Sequence, residues 1–232
     1  IDRYSPNYRP PAAARMMAYI GLAGYESVVA GMDDYQSLSP KYPGLNLPSV
    51  NTDEYYYWPA VLNATYAKMF QYFYPHIKVS DYNKFAALEQ KWNASFKSVV
   101  NNDDLLRSQS FGAEVAEAVF NYSRSDSWGH EAYKDPRPSS YEPPKVGPHG
   151  EQLWQPTWPD YTPALFPYWG RVRPFAMNQG DLIAKAPLPY STNPNSKFFQ
   201  QAMETKTWVD NATLEDKWIA EFWSDDFFEV TF

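Results

Sequence analysis

Histidine is the scarcest chemistry-bearing residue here, with three among 232 residues, and cysteine is absent. Without cysteine there is no disulfide framework, thiolate metal site or cysteine nucleophile. His76 and His149 each follow a proline and lie far apart, without the spacing of a metal-ligand set, so neither suggests zinc. His130 stands between Asp126 and Lys134, a run able to offer an acid, a base and a cation to a substrate. Polar residues just past a helix end more commonly cap it or meet solvent, and that is the reading adopted for these three. Arg171 and Arg173 could cover an oxyanion, with Trp169 as a packing wall. Arginines beside aromatics more often stack on rings or pair with carboxylates, and these two are read that way. Glu114, Glu117 and Asp126 supply carboxylates, but no pair fixes the separation that acid–base glycoside chemistry needs. No catalytic, cofactor-binding or metal-binding residue is assigned.

The elements that must position these groups are helices. Pro11 suits a first helical position, and Met16, Met17, Ile20, Ala23, Gly24 and Val28 recur on one apolar face. Ala13, Ala14, Ala18, Gly21 and Gly24 leave room for a close neighbour, so the helix from Pro10 to Val29 reads as central. Arg15 and Glu26 on it are read as structural or solvated. Asp33 to Asp53, broken by prolines, should wrap the outside as a loop. A second stripe, Trp58, Val61, Leu62, Tyr66, Met69 and Phe73, should end near Tyr74, ahead of Pro75. Ser80 and Asp81 offer N-caps for a third helix with Phe85, Leu88, Trp92, Phe96 and Val99 on one face.

Asn101-Asn102-Asp103-Asp104 reads as a turn and cap at a positive helix end, in preference to a metal cluster. Phe111, Val115, Val119 and Tyr122 then form an inward stripe, and Gly112, Ala113, Ala116 and Ala118 keep one side narrow, which suits packing on the first helix. Residues 125–194 hold most of the prolines, too many for a long helix, yet carry Trp128, Trp154, Trp158, Tyr161, Phe166, Tyr168, Trp169 and Phe175. That aromatic content argues against disorder and for an ordered arm across the helices. Helix should return from about Asn195 to Trp208. A last one should follow the near capping box Thr213-x-x-Asp216, with Leu214, Trp218 and Phe222 inward. The expected fold is all-α: a single helical domain over 1–232, with a core at about 10–124, an arm at 125–194 and C-terminal helices at 195–224.

With 20 Lys and Arg against 27 Asp and Glu, the net charge is −7, and no basic run matches a phosphate backbone, which disfavours nucleic acid. No apolar segment is long enough to span a bilayer. The Asn-x-Ser/Thr triplets at Asn63, Asn93, Asn121 and Asn211 fall largely in expected helices, where glycan acceptors are unusual. Aromatic residues reach 18%, so large rings must build the interior. A start at Ile1 without Met is consistent with a processed export signal, a trimmed chain or a proteolytic fragment, and an exported location is expected. The apolar end at Phe232 looks like a cut.

Taken in order, Pro10 to Val29, Gly112 to Tyr133 with its Tyr122-Ser123-Arg124-Ser125-Asp126-Ser127-Trp128-Gly129-His130, Trp154 to Pro159, Pro167 to Phe175 and Trp218 to Trp223 resemble the N-terminal half of bacterial vanadium-dependent haloperoxidases, relatives of type 2 phosphatidic acid phosphatases. The resemblance implies an all-helical scaffold whose C-terminal half, expected to begin about where this chain ends, holds a vanadate or phosphate pocket. The family's pocket motifs are Lys-x6-Arg-Pro, Pro-Ser-Gly-His and Ser-Arg-x5-His. The Arg-Pro pairs at Arg9, Arg137 and Arg173 are preceded, seven residues earlier, by Asp2, His130 and Phe166 and not by lysine. Gly129-His130 follows Trp128 where serine is required. Ser123-Arg124 with His130 echoes the third motif, but too early and without the other two.

No catalytic residue carries over. The chain is therefore expected to be the scaffold portion of an enzyme that oxidises halide with peroxide or hydrolyses phosphate esters. Alone it should be inactive, its partner being the C-terminal half. The alternative is a stand-alone helical module whose Trp154 to Phe175 arm grips a carbohydrate or protein. Exposed rings in the arm would favour the module, and a buried arm the enzyme portion. Assembly with further copies is left open.

Overall fold

A computed structural model describes residues 10–223, apart from 76, 136, 149, 159, 160, 162, 183 and 184. Its helices are α1 (Pro10–Val28), α2 (Trp58–Phe73), α3 (Val79–Phe96), α4 (Asn102–Arg124), α5 (Lys197–Asn211) and α6 (Leu214–Trp223), with short 3-10 turns between them and no strand beyond one isolated bridge, Val146 with Gln152, among the described residues. The architecture is all-α as expected. His76, His149 and the tail from Asp225 to Phe232 lie outside the described residues. The chain clusters into two compact units, Ile1–Ala176 and Met177–Phe232, so the arm expected over 125–194 straddles their boundary.

In the first unit α1, α2 and α4 pack on one another, and α3 lies against α2. Met16, Tyr19, Ile20 and Ala23 from α1, Val61, Met69 and Phe73 from α2, and Phe111, Val115, Val119 and Tyr122 from α4 make one buried cluster. The stripes of α1, α2 and α4 read from the sequence are thus largely the core faces, with the exceptions that Met17 and Tyr66 are exposed and Val28, Trp58 and Leu62 are only partly covered. The loop after α1 does more than wrap: Leu45 enters the core, and Tyr42, Leu47 and Val50 pack on it. Buried Glu26 holds that loop by accepting from the Leu38 amide at 2.6 Å and the Ser37 hydroxyl at 2.8 Å. Its role is structural, as read.

The α2–α4 contact is the most extensive, and glycine explains its closeness. A Cβ on Gly112 would strike the Val61 carbonyl oxygen, a backbone atom that cannot step aside, and would crowd the Thr65 hydroxyl. At Gly112 the narrow side of α4 therefore meets α2, and α4 also packs on α1, the neighbour that the sequence suggested. Thr65 stitches the crossing by donating to Val61 O at 2.9 Å or Gly112 O at 3.0 Å. Side-chain spacing reports that a helix has a narrow face but not which neighbour will meet it.

Caps follow the sequence at two helices and depart from it at a third. Asn101 accepts from the Asp104 amide at 2.9 Å, which makes Asn101 to Asp104 a cap. Thr213 and Asp216 form a reciprocal capping box, with amide-to-side-chain bonds of 2.9 and 3.1 Å. On α3, however, Lys78 is the N-cap residue without a side-chain bond, and Ser80 and Asp81 lie inside the first turn. Of the α3 stripe only Phe96 is buried, while Leu88, Trp92 and Val99 are exposed. The four Asn-x-Ser/Thr asparagines all lie in helices, and the Asn63 amide donates to Asn93 Oδ1 at 3.0 Å.

In the second unit α5 starts at its Ser196 cap, close to the expected boundary. The inward placement of Leu214, Trp218 and Phe222 is not observed: they are 65%, 64% and 60% exposed. No described residue of α5 or α6 is buried. A pair of amphipathic helices has too little surface to cover its own apolar faces. No helix among the described residues is long and apolar enough to cross a membrane.

Two glycines give opposite expectations. Gly112→Ala should lower stability by about 1–3 kcal/mol through forced overpacking. Gly21→Ala, where a Cβ meets nothing within 4 Å, should raise it by about 0.5–1 kcal/mol. Urea unfolding of the two variants measures both.

Candidate functional site

The polar groups of the first unit converge at the C-terminal end of α4, where the last carbonyls of a helix lack intrahelical donors and carry partial negative charge. Two arginines from distant parts of the chain supply the donors. Arg15 of α1 donates through Nη2 to Ser123 O at 2.8 Å, and Arg173 of the arm donates to Tyr122 O at 2.7 Å. Asp126, just past the helix, accepts from Arg15 Nε at 3.3 Å and Nη2 at 3.2 Å, and from the Arg173 amide at 3.3 Å. The Arg15 and Asp126 side chains are only 8% and 4% exposed. Burial pulls the Arg15 guanidinium below its ordinary value, while Tyr19 and the Asp126 carboxylate oppose the fall. Arginine stays charged at any working pH.

Gly129 makes the turn possible. Its amide donates to Asp126 Oδ1 at 3.2 Å, and a Cβ there would collide with both the Asp126 carboxylate and the Arg15 guanidinium. Arg173 completes the knot. Its guanidinium lies 3.9 Å from the Tyr122 ring centroid and donates to Tyr19 Oη at 3.0 Å and Ser125 Oγ at 2.9 Å. Phe175 follows it onto the core, 5.2 Å from both Tyr19 and Tyr42. This end of the arm is therefore ordered across the helices, as its aromatic content suggested.

The other candidates separate cleanly. Arg171 stacks at 5.1 Å on Trp128 and 4.8 Å on Tyr168. Lys134 pairs with Glu131 at 2.8 Å in an exposed ion pair. Arg137 is tied to Ala164 O and to Asp135. Glu114 and Glu117 stand exposed on α4, whereas the Asp126 carboxylate is buried and held by Arg15 and the Arg173 amide. Trp154, Trp158 and Tyr161 are more than half exposed, whereas Trp128, Phe166, Tyr168 and Trp169 are half-buried.

His130 behaves differently from Asp126 and Lys134. It lines a cavity of about 300 Å³ shared with Arg124, Tyr72, Tyr133 and Phe120. Burial lowers its pKa, against the pull of Glu131 and with help from Arg124, Arg15 and Lys134. The imidazole is accordingly neutral at pH 7. Periodicity identified Val119 and Tyr122 as an inward stripe of α4 and did not single out Phe120 beside them. It could not show that Tyr72 of α2 and Tyr133 of the arm would wall one space with Arg124 and His130.

No protein-family model matches the chain, and no curated protein matches it in sequence. Among solved structures it is similar to a bacterial vanadium-dependent iodoperoxidase, with a TM-score of 0.71 and 23% identity over 95% of this chain and 52% of that one. The chain has the vanadium haloperoxidase fold. It spans about half the length of the iodoperoxidase it matches. Whether the described residues suit a tetrahedral oxyanion such as vanadate is decided by their cations, since several must converge on it. Arg15 and Arg173 are committed to α4 carbonyls and Asp126, and Arg171 and Arg137 to rings, a carbonyl and a carboxylate. Of the described arginines only Arg124 is left without such a partner, and one cation does not make the converging set that the group needs.

Asp126→Asn should cost about 3–5 kcal/mol in urea unfolding, because it strands a buried guanidinium. Arg171→Ala, which removes an exposed ring contact, should cost no more than about 1 kcal/mol. For His130 the folded pKa lies below the ordinary 6.5, so the unfolded chain binds the proton more tightly. That stability is present above pH 6.5 and is lost as pH falls through 6.5 toward the folded pKa. His130→Gln should flatten this slope, and an NMR titration should place the imidazole below 6.5.

Proposed function

We propose that this chain is the helical scaffold portion, the N-terminal half, of an exported enzyme of the vanadium haloperoxidase type, and that a further segment of the same protein supplies the oxyanion pocket. The observation that carries the reading is the fold likeness, which covers nearly all of this chain but only 52% of the iodoperoxidase. The committed state of the arginines supports it, as does the absence from the sequence of the three pocket motifs. Halide oxidation is favoured over phosphate-ester hydrolysis because the similar structure is an iodoperoxidase. The exposed apolar side chains of α5 and α6 agree with a covering segment, since contiguous apolar patches on this scale mark contact surfaces.

The exposed Trp154, Trp158 and Tyr161 favour, for that stretch alone, the second reading of an aromatic platform for carbohydrate or protein. It is the weaker reading, because Arg173 and Phe175 at the end of that stretch pack on the helices.

The 232 residues expressed alone should turn over neither bromide or iodide with peroxide and vanadate nor a phosphate monoester. The protein encoded by the complete gene should oxidise halide, and amide exchange in α5 and α6 should slow in it relative to the shorter chain. Turnover by these residues alone, or a complete protein without either activity, would refute the proposal.

A further inference from the structure

The cavity beside His130 is a half-open pocket of the first unit, lined by α1, α2, the end of α4 and the turn that follows it. Its volume of about 300 Å³ is at the lower end of small-molecule sites. One wall is aromatic: the Tyr72 and Phe120 rings stack in parallel at 4.5 Å, and Phe120 meets Phe73 edge-on at 5.3 Å. The opposing polar groups are of a kind that recognises an anion. Arg124, in the last turn of α4, makes no hydrogen bond or ion pair among the described residues, unlike Arg15, Arg137 and Arg173. The His130 imidazole meets the Phe120 ring edge at 6.0 Å and, being neutral, keeps one N–H to donate and one nitrogen to accept.

The acid nearest to these groups is already neutralised. Glu131 is held by Lys134 at 2.8 Å, and that pair keeps its carboxyl below the usual range. Glu131 also takes a left-handed backbone, φ 53°, a strained state for a residue with a side chain and one that clusters at ligand clamps. Asp126 is turned to Arg15 and Arg173. Arg124 acts on the Glu131 carboxylate only at a distance, and among the described residues it forms no ion pair of its own.

We propose that this cavity binds a small one-ring aromatic carboxylate, with its ring against Tyr72 and Phe120 and its carboxylate on Arg124 and the His130 N–H. This proposal does not depend on the assignment of an oxyanion pocket to another segment. A ring alone would leave Arg124 without an ion pair, and an inorganic anion alone would leave the apolar side of the cavity unused. Both features are used only by a ligand that carries both.

Titration calorimetry of the 232-residue chain with benzoate tests this, beside benzyl alcohol, cyclohexanecarboxylate and inorganic phosphate. Benzoate should bind with one-to-one stoichiometry and more tightly than each comparator. Arg124→Gln should weaken it about tenfold or more, the scale of one charged hydrogen bond, without moving the thermal midpoint, because Arg124 is exposed. Histidine resonances of His130 should shift on saturation, and Arg171→Gln should bind like the parent. Equal binding of benzyl alcohol or phosphate overturns the proposal. So does an unchanged affinity in Arg124→Gln, an equal loss in Arg171→Gln, or no saturable benzoate binding.

Discussion

The carboxylate of Asp126 lets two guanidinium groups meet at the end of one helix. Arg15 and Arg173 both donate to the last carbonyls of α4, which attract cations but offer only partial charge. Bringing Arg15 out of water in that company needs a full negative charge within hydrogen-bond distance, and Asp126 provides it from inside the turn that leaves the helix. Through this ion pair α1, α4 and the arm share one anchor. Gly129 leaves the space that the pair occupies. The direction in which the arm leaves α4, and the seating of Phe175 on Tyr19 and Tyr42, follow from it.

Cations that hold a fold together cannot also hold a substrate. Arg15, Arg137 and Arg173 are arranged toward carbonyls and carboxylates and so use the planar donors that a tetrahedral anion would require, while Arg171 lies over the Trp128 and Tyr168 ring faces. That distribution makes the first unit a scaffold in physical terms. Arg124 and His130 are the exception. They adjoin the anchor without joining it, because Arg124 lies on the exposed side of the last turn and His130 comes after Gly129 has closed the turn on Asp126.

The two units differ in what they can bury. Three helices meeting around Val61, Met69, Val115 and Val119 close a core in the first unit, with Gly112 bringing α2 and α4 close enough to exclude voids. Two helices in the second leave Trp208, Leu214, Trp218, Phe222 and Trp223 largely in water. Both units carry equally regular apolar stripes, so periodicity identifies a face that wants covering and is silent about whether a cover exists.

That distinction marks how much of the protein was legible in its residues alone. Helix existence, the caps at Asn101 and Thr213, the stop before Pro75 and the inward stripe of α4 are local matters of backbone sterics and spacing, and the sequence determined them, together with the all-α class and the likeness to haloperoxidases. The cap of α3, the close approach of α4 to α2 at Gly112 and the exposure of Trp218 depend on neighbours distant along the chain, and only the tertiary structure decided them. The same holds for the site. Arg15 and Asp126 lie far apart in sequence, and nothing in either residue's surroundings marks them as a pair. Their partnership exists because helix packing fixes positions that local chemistry leaves free.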